Sequence, residues 1–168
     1  MALNAYFSSV TGEKQGKFKG GVIQKGREGW IEIIESSHKI VSPRDPASGQ
    51  ATGKRSHHPA RFRFYYDQSL PAWYQALVYN EALKEVTIAY FSPNKLGTAG
   101  GAGVETLTYA IKLTNAFVST VELAMPTNKN PELMEYENTV SVELVYQKIE
   151  GTWKLGNKVW FDDWLAPA

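Results

Sequence analysis

Apolar and polar residues alternate with a period of two along most of the chain. Leu3, Ala5 and Phe7 are interleaved with Asn4 and Tyr6, and Ile31 and Ile33 flank Glu32, so each apolar set falls on one face of a strand. The same pattern returns in Val86, Ile88 and Tyr90, in Leu107, Tyr109, Ile111 and Leu113, in Val121, Leu123 and Met125, and in Val140, Val142, Leu144 and Tyr146. The opposite faces are small and polar: Thr87 and Ala89, then Thr106, Thr108, Ala110 and Lys112, then Thr120, Glu122 and Ala124. The terminal segment with Trp153, Trp160, Phe161 and Trp164 reads as a final hairpin that closes the core. Frequent short alternating segments with abundant aromatics predict a fold dominated by β-structure, a small barrel or sandwich.

One segment breaks the period. Leu70, Trp73, Tyr74, Leu77 and Val78 are spaced as an apolar stripe on a helix. Pro71 suits its first turn, where the missing N–H costs nothing, and Asp67 or Ser69 can cap it. The helix is predicted at about residues 70–80, packed on the sheet. Residues 92–103, rich in glycine, read as a hairpin tip. With no internal repeat and no boundary signal, residues 1–168 form a single predicted domain.

The connection from Ser37 to Pro59 is far longer than the usual four to six residues. Pro43, Pro46 and Pro59 restrict its backbone, while Arg44, Asp45, Lys54, Arg55 and His57 form a mixed-sign set suited to pairing with another surface. It reads as an extended arm, about residues 42–59, that docks on a neighbouring molecule.

Composition narrows the function classes. The chain has no cysteine, which removes thiol catalysis and Cys-ligated metal sites. Lys plus Arg total 18 against 17 for Asp plus Glu, so no net charge draws it to nucleic acid or anionic lipid. No run approaches the roughly 20 apolar residues of a membrane span, and the start lacks a signal-peptide pattern; neither nucleic-acid partners nor membrane insertion is expected.

Candidate chemistry is thin. GQATGKR at Gly49–Arg55 resembles a phosphate loop but has one residue too few between its glycines, Arg55 where a magnesium-binding hydroxyl belongs, and Pro59 against the following helix. His57 and His58 are neighbours that point to opposite sides of an extended chain and cannot share an ion. They and His38 are expected to be solvated or paired at an interface. Asp162 and Asp163 likewise diverge, which argues against paired-carboxylate catalysis; one is expected in a cap or turn and the other in solvent.

Taken in order, LNAYF (Leu3–Phe7), GKFKGGVIQKGRE (Gly16–Glu28), SHKIVSPRDPASGQATGKRSHHP, YYDQSLP, YAIKLTNA (Tyr109–Ala116), AMP (Ala124–Pro126), VYQKIEGTW and DDW (Asp162–Trp164) make a specific match. The chain resembles the Hcp family, the haemolysin-coregulated proteins of bacterial type VI secretion systems. The resemblance implies a small β-barrel of two antiparallel sheets with one flanking helix, assembled as a six-membered ring. Rings in that family stack into a tube driven by a contracting sheath behind a spike, the protein is itself released, and some members carry effectors in the lumen. It implies residence in the bacterial cytoplasm before firing and secretion afterwards, without a signal peptide. It implies no catalytic residue, metal or cofactor.

Matched residue by residue, the resemblance puts Pro43, Arg44, Asp45, Gly49, Thr52, Gly53, Lys54, Arg55 and His57 at contacts with neighbouring subunits and rings. Thr106, Thr108 and Ala110 become lumen-facing positions. Gly151 departs from the family, where an aromatic is common, and tips like residues 92–103 vary in length there. The competing expectation is a monomeric carbohydrate- or ligand-binding β-sandwich using Trp153, Trp160 and Trp164; a hydrolase built on Asp162 is a third.

Overall fold

The alternating segments become antiparallel strands that wrap around a single helix face. The computed structural model describes residues 4–93, 105–133 and 135–164. In chain order the elements are β1 (Ala5–Gly12), β2 (Gly16–Lys17), β3 (Ile31–Ile33), β4 (Glu35–Ser37), β5 (Ile40–Val41), β6 (Ser56–His57), β7 (Ala60–Tyr65), α1 (Leu70–Val78), β8 (Leu83–Pro93), β9 (Glu105–Ala124), β10 (Thr139–Trp153) and β11 (Lys158–Asp163). The main sheet runs β2-β1-β8-β9-β10-β7-β4, with β11 added to β10 and β3 added to β1; β5 and β6 form a second sheet. β3 pairs with β1 while β4 pairs with β7, and between them the Ile34 N–H donates to the Arg63 carbonyl at 2.8 Å. The hydrogen-bonded path therefore returns to β1, as a small barrel requires. Two antiparallel sheets and one helix are the predicted fold. Leu3 and residues 94–103 of the predicted hairpin tip lie outside the described residues.

Two boundaries differ from the sequence expectation. Leu107–Leu113 and Val121–Met125 are not separate strands: β9 is continuous over 20 residues, and β10 over 15. The chain bends at Asn115, whose φ is 53°, with its amide donating to the Gln147 side chain at 2.9 Å. At that bend the buried set changes phase, from Ile111 and Leu113 to Ala116 and Val118 on β9, and from Ile149 to Tyr146 and Leu144 on β10. A bulge-like residue in the left-handed region thus does what a turn was expected to do.

α1 stops two residues early. Asn80 turns left-handed at φ 47° and the Glu81 N–H closes on the Ala76 carbonyl at 2.9 Å, a Schellman-type ending. At the other end Asp67 accepts from the Ser69 N–H at 2.9 Å and from its hydroxyl. Trp73 is fully buried against Phe7, Phe18 and Phe64, whereas Val78, expected on the stripe, is exposed. Above the other side of β1 and β8, Arg27 lies 3.7 Å over the Phe91 ring and pairs with Glu105 at 2.9 Å, which folds the 18–30 loop onto the barrel. No helix among the described residues is long and apolar enough to cross a membrane.

Candidate interaction interface

The arm is a hairpin with its own hydrogen bonds, not an extended strap. Ile40 pairs with His57 and Val41 with Ser56, an isolated bridge joins Arg44 to Ala51, and the Thr52 N–H donates to the Pro43 carbonyl at 3.0 Å. Its tip is a tight turn. Asp45 accepts from the Ala47 and Ser48 N–H groups at 3.2 and 3.1 Å and from the Ser48 hydroxyl at 2.6 Å, and Gly49 takes φ 69° where a side chain would be strained. These bonds, the Ser48 hydroxyl foremost, hold the Asp45 carboxyl below the usual carboxylate range. Arg44 donates to the Gly49 carbonyl at 3.1 Å. Pro43, Arg44, Gly49, Thr52, Gly53, Lys54 and Arg55 are exposed along it, and Asp45 is half-buried.

The root of the arm is built differently. His57 is buried, its ring between Tyr146 and Trp164. Asp162 receives the Arg55 guanidinium in a two-pronged pair, both contacts 2.7 Å, and His57 Nε2 at 2.8 Å. Arg55, against the opposition of burial and with help from His57, holds the Asp162 carboxyl below its ordinary range. The Tyr146 hydroxyl sits 3.0 Å from His57 Nδ1 and 2.6 Å from His38 Nε2. Burial, with the Asp162 charge, pushes the tyrosine well above its ordinary titration range, and burial, with His57, pushes His38 down. Two sequence expectations are corrected here: His38 and His57 are paired within the chain, and Asp162 is a clamp rather than a turn cap. No local pattern announces contacts between residues 105 and 107 positions apart. Among the described residues no three acidic or histidine side chains are grouped to hold a metal.

The final hairpin forms, but it does not close the core. Val159 and Phe161 on one face are 55% and 69% exposed, and Trp153 and Trp160 on the other 44% and 39%. Trp164 and Leu155 near this hairpin are exposed too, and Leu123 and Met125 are exposed separately, at the end of β9 that pairs with the start of β10. Trp160 does not offer its N–H to a ligand, because the indole donates to the Tyr109 hydroxyl.

On β9, Thr106 and Ala110 are half-buried, but Thr108 is not an open position. It is 8% exposed and its hydroxyl donates to the Tyr90 carbonyl at 3.1 Å, so it belongs to the packing between β8 and β9. The regular alternation that suggested otherwise is interrupted by a register shift between Tyr90 and Phe91.

Residues 7–153 match the protein-family model described as type VI secretion system effector, Hcp. The chain is similar to the "Major exported protein" of Pseudomonas aeruginosa, 29% identical over 177 residues that cover 100% of this chain and 99% of the relative. Its fold is similar to the crystal structure of an Hcp protein, with TM-score 0.85 and 27% identity over 99% of this chain and 100% of the other. It is also similar to a double mutant of the Hcp1 protein from the E. coli EAEC 042 pathovar, with TM-score 0.80 and 30% identity over 97% and 99% of the two chains.

Proposed function

This chain belongs to the Hcp family of type VI secretion, and from that premise we propose that it is a non-enzymatic, ring-forming subunit of the secretion tube. The observation that carries the reading is the uncovered apolar face of the last hairpin, Val159 and Phe161, on the strand that anchors an arm holding Arg44 and Lys54 out into solvent. Contiguous exposed apolar residues rimmed by charge mark protein interfaces. An arm and a strip on different surfaces of one chain make a head-to-tail contact, which closes into a ring when the rotation permits. The number six comes from the family, not from this geometry.

In this reading Pro43, Arg44, Asp45, Gly49, Thr52, Gly53 and Lys54 meet the next subunit or the next ring, while Arg55 and His57 hold the arm at the angle that contact needs. Ala110 faces the lumen, where an effector rides, whereas the register shift puts Thr106 on the other face of β9; sheath and spike proteins are the other partners. The protein waits in the bacterial cytoplasm and leaves through the machine, in keeping with its likeness to a major exported protein. No cofactor enters the reading.

Light scattering after size exclusion tests it. Six protomers are expected, each boundary burying on the order of 800 Å² per partner. A monomer at micromolar concentration overturns the reading and returns the chain to the ligand-binding sandwich.

A further inference from the structure

Both legs of the arm are tied to the barrel through one chain of hydrogen bonds. His38 precedes β5, His57 lies in β6, and both meet Tyr146, which stands on β10 between the stretch paired with β7 and the stretch paired with β11. Counting donors fixes where the hydrogens are. Ionised Asp162 only accepts, so His57 Nε2 carries a hydrogen, and neutral His57 then has a bare Nδ1. The Tyr146 hydroxyl must donate there, and its oxygen accepts from His38 Nε2–H. Every contact is satisfied, and all donors point one way.

We propose that His38, Tyr146, His57 and Asp162 form a two-step proton switch at the root of the arm, which takes a first proton without losing a hydrogen bond and lets the arm go on the second. The first proton arrives at Nδ1 of half-buried His38. The His38 Nε2 proton passes to the Tyr146 oxygen, and the hydroxyl's original proton passes to His57 Nδ1. His38 is left neutral as the Nδ1–H tautomer, Tyr146 is neutral and now donates to His38 Nε2, and His57 is a cation between Tyr146 and Asp162. One proton has entered, the charge has risen by one, and the chain has reversed its polarity with the same contacts.

The surroundings decide where that charge rests. Asp162 lies 2.8 Å from His57 and draws it there, while Arg55 on the same carboxylate opposes it. The Trp164 ring covers His57. Lys148 is engaged over the Phe161 ring, Lys39 and His58 are the exposed neighbours of His38 and His57, and Asp163 follows Asp162 on β11.

A second proton has no such place. With both histidines charged, two cations donate to one phenol oxygen and the hydroxyl hydrogen loses its acceptor within the chain. Burial, and then the charge of His57, already hold His38 below its ordinary value of 6.5. For that second proton the docked root is the weaker site, so docking weakens as pH falls below about 6.5. Where the arm holds a neighbouring copy, as proposed above, that contact loosens with it; the switch itself stands without that reading.

Nitrogen-15 spectra of the histidines in the intact protein, titrated from pH 8 to pH 5, test the relay. His38 is expected as Nε2–H at high pH and as Nδ1–H over the same range in which His57 becomes charged, and Tyr146→Phe is expected to uncouple the two. Amide exchange of residues 42–55, corrected for intrinsic rates, tests the release: about tenfold faster exchange is expected below the second step in the native chain, and protection to lower pH in His38→Gln. His38 remaining Nε2–H throughout the His57 titration overturns the relay. Equal pH dependence of arm exchange in the native chain and His38→Gln overturns the release, and this second comparison holds even if Tyr146→Phe does not fold.

Discussion

The indole N–H of Trp160 reaches across β10 to the hydroxyl of Tyr109 at 2.6 Å, passing directly over Gly151. Gly151 pairs with Trp160 on one side and Ile111 on the other, and a Cβ built on it falls 2.2 Å from both the indole nitrogen and the phenol oxygen. The glycine is what lets three strands share this bond.

Gly151→Ala is accordingly expected to displace Trp160 and break the bond to Tyr109, an overpacking cost of about 1–3 kcal/mol. Trp160→Phe keeps a ring and loses only the N–H, so its cost should stay near 1 kcal/mol. Urea denaturation of both variants, with tryptophan emission of the first, checks the ordering. If Gly151→Ala is as stable as the native chain, the two rings are not held over the glycine.

A buried carboxylate secures the opposite end of the barrel. Glu81 is 5% exposed and accepts from the Lys14 and Gln15 N–H groups at 2.6 and 2.8 Å and from the Gln15 side chain at 2.8 Å. Burial works against its charge, but the donors of Gln15 and Lys14 prevail and hold its carboxyl below the ordinary 4.5. A depressed carboxylate contributes stability that is present above the unfolded value and lost as pH falls through the folded one. Glu81→Gln turns one acceptor into a donor facing Gln15 and should cost about 1–3 kcal/mol at neutral pH. That difference should shrink as the pH falls below 4.5 in denaturation experiments; a difference that stays constant down to pH 3 would assign Glu81 a purely steric role.

Trp73 is the keystone of the helix-to-barrel contact, fully buried against three phenylalanines with its N–H on the Ser69 hydroxyl at 3.2 Å. Trp73→Ala should remove about 3–5 kcal/mol. Trp73→Phe should recover most of that. Both are read from denaturant midpoints, and equal losses in the two variants would mean that the N–H bond, not the ring, holds the helix.

Residues whose information is local were legible in the sequence. Val140, Val142 and Leu144 are spaced two apart and all lie in the core, and Trp73 falls on the predicted helix stripe and is buried. Continuity of β9 was hidden, because a bend made by one left-handed Asn115 looks in sequence like the end of one period and the start of another. The arm's root was hidden for a different reason: Tyr146 and Asp162 carry no mark of their distant partners His38, His57 and Arg55. The exposure of Trp153 and Phe161 was misread because apolarity says that a surface will be covered, not by what.

That last point carries a prediction. Phe161 is 69% exposed, and the Lys148 ammonium 5.3 Å from its ring is a weak contact in solvent. Phe161→Glu should therefore leave the folded chain within about 0.5 kcal/mol of the native stability. If a neighbouring copy covers this ring, the same change removes about 1.5–3 kcal/mol of apolar burial and sets a carboxylate, beside Lys148, against an apolar surface. That weakens each boundary by two decades or more. Circular dichroism should then show a native β-fold while light scattering shows dissociation at micromolar concentration. Ile23→Glu, at a position 92% exposed on the 18–30 loop, is the control and should keep the native mass. A native mass in Phe161→Glu would mean that the strip faces water in the assembled protein, and that the arm holds the copies together through some other surface.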